Sequence, residues 1–305
     1  MRKFMLSALL LAGLLPALAL AAAPESFTVG TLHVSRYGEH GRPLILIPGL
    51  ECGAWEWQAT IEHFETNHVI YAVTLAGFDG TPPPARKTDL LDQANASLLR
   101  LIEDHHIDKP VLVGHSLGGT LALRFAGEHA KLISGALAVD GLPVFPDMSV
   151  SQRAAGAQQA RAQYARMTPT EFERSALEYM QNIGVINPEL AARYAPLLAR
   201  SDAAISGEYA AEDMLADYRP LLKHADVPVL EVSPYYAPDF QRFAAMLKQP
   251  VISEAQKAAY YQSLLANAPN AKVVSISPSR HFVMLDQPAK FRAVLERFLA
   301  DLPQP

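Results

Sequence analysis

The sequence predicts an α/β fold, a mostly parallel central sheet flanked by helices with a helical segment inserted late in the chain. Three observations lead there. Short apolar runs near residues 44–48, 69–74, 111–114, 136–140, 228–233 and 272–277 alternate with stretches of helical periodicity. Between Pro143 and about His224 the strand runs stop, and four helical stretches take their place. The run Val111-Leu112-Val113 passes directly into Gly114-His115-Ser116-Leu117-Gly118, a glycine-flanked turn from strand to helix.

Taken in order, Arg2 and Lys3 precede a mostly apolar run from Phe4 to Leu15, and Ala19-Leu20-Ala21-Ala22-Ala23 offers small residues for cleavage. This pattern predicts a signal peptide over residues 1–23 and a secreted or periplasmic protein. Phe4 to Ala23 is also just long enough to span a bilayer, so an uncleaved membrane anchor is the alternative. Phe27 to Tyr37 reads as a short hairpin, and Leu44-Ile45-Leu46-Ile47-Pro48-Gly49-Leu50 as a strand entering a tight loop. Val73-Thr74-Leu75-Ala76-Gly77-Phe78-Asp79-Gly80 repeats that pattern. Leu117, Leu121 and Phe125 carry helical spacing after the glycine-flanked turn, and Leu137-Ala138-Val139-Asp140-Gly141 ends a strand on a carboxylate.

Within the helical segment, Thr168, Pro169 and Glu171 form a helix start, a capping residue with proline at the first position and glutamate at the third. Phe172, Ala176, Met180 and Ile183 then predict one apolar stripe. Val229 to Ser233 is the next strand, running into Pro234-Tyr235-Tyr236-Ala237-Pro238-Asp239, with a long insertion from Phe240 to Ser253. His281-Phe282-Val283-Met284-Leu285-Asp286-Gln287-Pro288 follows the last strand. Asp286 reads as a cap for the final helix.

These motifs, in this order, resemble the α/β-hydrolase family over nearly the whole chain beyond residue 23. Gly114 to Gly118 fits the nucleophile elbow G-x-S-x-G. Residues 44–50 look like the family's strand and oxyanion loop, with Pro48 where a histidine is usual. Residues 281–288 match the segment that contributes the catalytic histidine. The resemblance implies an α/β-hydrolase core over residues 24–142 and 225–305, with residues 143–224 as a helical cap (lid) over the active site.

The chemistry follows from the residue types. A serine hydroxyl is a poor nucleophile near neutral pH, so Ser116 needs a base to take its proton and a carboxylate to orient that base. The family's chain order is serine, acid, histidine, which makes His281 the expected base. Two acids fit that order. Asp140 directly ends an apolar strand and is preferred; Asp239, late in the turn after the seventh strand, is the alternative. Either could instead be a turn or helix-capping residue. His115 belongs to the elbow and is read as structural. The resemblance places the oxyanion hole at the backbone N–H groups of Leu50 and Leu117. Trp55, Phe78 and Tyr164 are candidates to line an apolar acyl pocket, although aromatics at such spacings also build cores.

At 305 residues, half of them hydrophobic, the chain can bury a sizeable core. The net charge is -5, and becomes -7 if Arg2 and Lys3 leave with the leader. Mild acidity argues against a nucleic-acid partner. Cys52 is the only cysteine and reads as a packing residue. No metal-ligand spacing or phosphate-binding loop occurs, so neither metal nor cofactor is expected. The expected function is an exported serine hydrolase acting on a small-molecule ester or related acyl compound. The contrasting expectation is a protein on this fold that binds a small molecule or partner without turnover. Membrane contact is expected only through an uncleaved leader, and the sequence leaves the oligomeric state open.

Overall fold

The computed structural model describes residues 24–146 and 148–303, so the leader predicted over residues 1–23 lies outside the described residues. Eight strands form one sheet: β1 (Glu25–Val29), β2 (Leu32–Tyr37), β3 (Leu44–Ile47), β4 (Ile70–Leu75), β5 (Val111–His115), β6 (Gly135–Val139), β7 (Val229–Pro234) and β8 (Ala271–Ile276). Their spatial order is β1-β2-β4-β3-β5-β6-β7-β8. β2 is antiparallel to both β1 and β4, and every other neighbouring pair is parallel.

The central strands β3, β4, β5 and β6 are buried along their whole length. Both sheet faces are covered there, which is why these strands read as continuous apolar runs rather than alternating ones. Alternation survives in what each residue touches. Ile45 and Ile47 of β3 join one core cluster, and Leu44 and Leu46 join the other. Helices α1 (Gln58–Phe64), α2 (Leu90–Asp104) and α3 (Leu117–His129) divide between these faces. Leu98 of α2 and Phe125 of α3 pack with Ile45, while Ile61 of α1 packs with Leu44. Each fully buried Leu, Ile or Phe contributes about 1.5–3 kcal/mol.

Between β6 and β7 come α4 (Val150–Tyr164), α5 (Pro169–Tyr179), α6 (Pro188–Leu198) and α7 (Ala203–Leu215). The predicted start of α5 forms as a capping box between Thr168 and Glu171, with Pro169 in the first turn. Phe172, Ala176 and Met180 are buried as a stripe, but Ile183 is 52% exposed. The helix widens to a π turn at Met180–Gly184, and the added residue per turn rotates Ile183 off the apolar face. α4 and α7 are joined by the bidentate pair from Arg161 to Glu208.

After β7, α8 (Ala237–Leu247) runs into the predicted insertion as far as Leu247, α9 (Glu254–Leu264) begins directly after that insertion, and α10 (Val283–Asp286) and α11 (Pro288–Asp301) follow β8. α8 begins two residues before Asp239, so Asp239 sits inside the first turn rather than at the N-cap. Asp286 is not a cap for α11 either; it accepts hydrogen bonds from the backbone N–H groups of Ile186 and Arg280. β3, β5, β6 and β8 all end on the same side of the sheet, just before Gly49, Ser116, Asp140 and the loop that carries His281. Carboxyl ends of parallel strands are where such sheets hold their ligands. Among the described residues, no helix is long and apolar enough to cross a membrane.

Candidate active site

Ser116 links β5 to α3 with φ 51° and ψ -120°, a conformation that a residue bearing a side chain rarely adopts. Such backbone holds only where the neighbours can close around it. A Cβ on Gly114 would lie 2.1 Å from the Gly118 carbonyl oxygen, and one on Gly118 would lie 2.2 Å from that of Ile47. The two glycines flanking the serine are therefore steric requirements of the turn. Leu117 is the first residue of α3, where the backbone N–H has no intrahelical acceptor and points outward with the positive end of the helix dipole.

His281 and Asp140, 141 residues apart, meet through a 2.6 Å contact between the histidine Nδ1 and the carboxylate Oδ2. Asp140 itself has φ 48°, which swings its side chain away from β6 toward the histidine loop. The alternative acid is spoken for. Asp239 receives a bidentate bond from Arg280, at 2.8 Å to Oδ2 and 2.9 Å to Oδ1, and also pairs with Arg242 at 3.3 Å. Asp239 thus anchors the residue next to His281 without reaching the imidazole.

Two groups unforeseen from the sequence complete the surroundings of Asp140. Tyr261 donates its hydroxyl to Oδ1 at 2.6 Å, and the Lys257 ammonium lies 3.5 Å from the same oxygen while donating to the Pro234 carbonyl at 2.6 Å. They stand four apart on α9, a spacing that places them on one helix face, but nothing local in the sequence ties that face to Asp140. Burial pushes the Asp140 carboxyl up; the Lys257 charge, the His281 bond and the Tyr261 bond outweigh it and hold it well below the usual carboxylate range. His281 is lowered, by burial and by His115, with Asp140 opposing. The imidazole is neutral near pH 7, with Nδ1–H given to Asp140 and Nε2 left as a proton acceptor.

His115 lies behind the elbow, away from the cavity lining. It is fully buried, its Nε2 lies 3.1 Å from the His281 carbonyl oxygen, and its Nδ1 lies 3.1 Å from buried Glu56. Glu56 in turn accepts from the Gly49 N–H at 3.1 Å. One chain of polar contacts therefore connects the loop after β3 with the elbow and the histidine loop. Sequence reading missed Glu56; a lone carboxylate between Trp55 and Trp57 was its only signal. Cys52 is fully buried, as a packing residue would be.

Ser116, Leu117, Leu50, His281 and Tyr164 line one cavity of about 560 Å³, roofed by α4, α5 and α7. Trp55 and Phe78 do not line it. Trp55 stacks on Tyr194 with ring centres 5.3 Å apart, and Phe78 is fully buried against Tyr209. Phe78 is thus a core residue on the α7 side, and the partly buried Trp55 packs against the core beside α6. Two further lining residues, Glu51 and Asp213, were also missed. Burial pushes each carboxyl up to about 7, with hydrogen bonding from Tyr164 and Thr120 respectively pulling the other way. Among the described residues no group of three or more His, Cys, Asp or Glu side chains is disposed to hold a metal ion.

Comparison with known proteins places this architecture. A 1-acylglycerol-3-phosphate O-acyltransferase ABHD5 of Rattus norvegicus is 25% identical over 297 residues, covering 87% of this chain and 79% of its own. Epoxide hydrolase 3 of Xenopus tropicalis is 31% identical over 104 residues, 33% of this chain and 28% of its own. The crystal structure of the enol-lactonase from Burkholderia xenovorans LB400 superposes with a TM-score of 0.70 at 17% identity, covering 88% of this chain and 96% of that one. At that identity the likeness is one of fold. The sequence profile described as the alpha/beta hydrolase family matches residues 44–294, most of the described chain, and the protein belongs to that family.

Proposed function

We propose that this family member is a serine hydrolase of carboxylic esters or related acyl compounds, with Ser116 as nucleophile, His281 as base and Asp140 as the orienting acid. The observation that carries the reading is the 2.6 Å contact of His281 with Asp140, beside a cavity that Ser116 and His281 line together. Ser116 Oγ attacks the acyl carbon while His281 Nε2 takes its proton, and Asp140 stabilises the imidazolium that forms. Negative charge on the carbonyl oxygen falls to the N–H groups of Leu50 and Leu117; losing one such donor typically costs about 3 kcal/mol of barrier. His281 then returns the proton to the leaving group, and a water activated the same way releases the acid. Residues 143–224 act as the cap that shapes and shields this cavity. The N-terminal segment supports export, which sequencing the N terminus of protein recovered from the cell envelope would test.

The experiment is hydrolysis of p-nitrophenyl esters from acetate to dodecanoate by wild type and Ser116→Ala, alongside fluorophosphonate labelling. Turnover and labelling that vanish together in the variant support the reading. Folded wild type that neither labels nor turns over any ester would favour a binding protein on this fold.

A further inference from the structure

We propose that the cavity selects substrates bearing a protonated amine, with Glu51 and Asp213 as the groups that recognise it; this rests on the serine hydrolase reading of the same site. Of the described residues lining the cavity, the charged or titrating ones apart from His281 and two tyrosines are these two carboxyls, and no lysine or arginine faces it. Glu51 is 7% exposed, and among the described residues its Oε1 has no hydrogen-bond partner. An acid left with an open acceptor in a buried wall is costly unless a ligand supplies the donor.

The position of Glu51 is imposed rather than incidental. It follows Leu50 directly, so its side chain is fixed relative to the oxyanion site, and its backbone takes φ 64°, a left-handed conformation held by the Ser201 hydroxyl donating to its carbonyl at 3.0 Å. Asp213 approaches from α7 on another wall. An ammonium a few bonds from the acyl carbon can therefore meet Glu51, and a longer one can reach Asp213. Phe145, Tyr164 and Tyr179 add ring faces that favour a cation over a neutral group. The raised carboxyl at each site is the expected state of an acid awaiting its counter-charge. An anionic chain would meet two acids and no lysine or arginine to compensate its charge.

The test uses n-hexylamine, n-hexanol and hexanoate as non-hydrolysable probes in calorimetric titrations of the full chain, with p-nitrophenyl 6-aminohexanoate and hexanoate as a substrate pair. The amine should bind about tenfold tighter than the alcohol, and hexanoate weaker than both. Glu51→Gln should cut that preference several-fold, and Asp213→Asn independently so. The ratio of kcat/KM for the amino ester over the plain ester should fall with them. Equal binding of amine and alcohol by wild type would overturn the proposal, as would an amine preference unchanged in both variants. Because the titrations involve no chemistry at Ser116, they decide the cation site even if every ester is left intact. That last result would count against the hydrolase reading alone.

Discussion

At the scale of single residues, the two candidate acids have different partners, Arg280 for Asp239 and His281 for Asp140. A guanidinium gripping Asp239 through two bonds leaves Asp140 as the acid in contact with the imidazole. Asp140→Asn should lower kcat about 10⁴-fold, because an amide holds the imidazole in the wrong tautomer. Asp239→Asn should lower thermal stability and leave kcat far less affected; kinetics of the two purified variants decide between them, and the reverse pattern would exclude Asp140. The pH dependence has a definite sign. The base must be neutral to accept the serine proton, and burial together with His115 lowers the imidazole pKa. The acid limb of kcat/KM should therefore have its midpoint below the ordinary histidine value of about 6.5. Glu231 offers a second test. It is fully buried on β7, and burial followed by repulsion from Asp140 raises its carboxyl well above the usual range, against the opposing pull of Lys257 and of the backbone N–H groups of Gly141 and Asp140. The folded state then holds a proton that the unfolded chain releases above about pH 4.5, so this group's contribution to stability falls as pH rises. Glu231→Gln should raise the melting temperature near pH 8 and change it little near pH 4; the opposite order would mean the carboxylate is ionised and paired.

The elements owe their positions to capping as much as to burial. α5 carries its own start signal in Thr168, Pro169 and Glu171. α2 does not: Asp89 precedes it in a left-handed conformation and makes no side-chain cap. The missing acceptors come from 122 and 121 residues away, where Glu212 of α7 receives the N–H groups of Leu90 and Leu91 at 2.9 and 2.8 Å. This carboxylate sits at the positive end of the α2 dipole and ties the inserted helices to the core. Glu212→Ala should cost about 1–2 kcal/mol, read as a shift in denaturation midpoint. An unchanged midpoint would show that solvent caps α2 equally well.

For the molecule as a whole, legibility in the sequence tracks the range of the interaction. The central strands could be read because both of their faces are buried, and the elbow because its glycines serve a turn only five residues long. Residues whose role depends on a distant partner could not be read: Glu51, Tyr261, Lys257 and Asp213 gain meaning only once the sheet edge gathers them. Trp55 and Phe78 lie outside the cavity for the same reason, since their sequence neighbours do not reveal that Trp55 stacks on Tyr194 of α6 and Phe78 packs on Tyr209 of α7. The cavity is likewise a product of the docking of α4, α5 and α7 over Ser116, so its length is set by side chains remote from the elbow. Ala210 lines it from α7, where a larger residue meets open space instead of packed core. Ala210→Phe should shorten the space available to an acyl chain. The ester chain-length optimum should move to shorter acids, with kcat/KM for the acetate falling less than that for the decanoate. Methyl groups excluded from an apolar pocket cost on the order of 1 kcal/mol each, so the long-chain ester should lose at least tenfold relative to the short one. A folded variant with an unaltered chain-length profile would place the acyl group outside this cavity, and with it the catalytic use of the inserted helices.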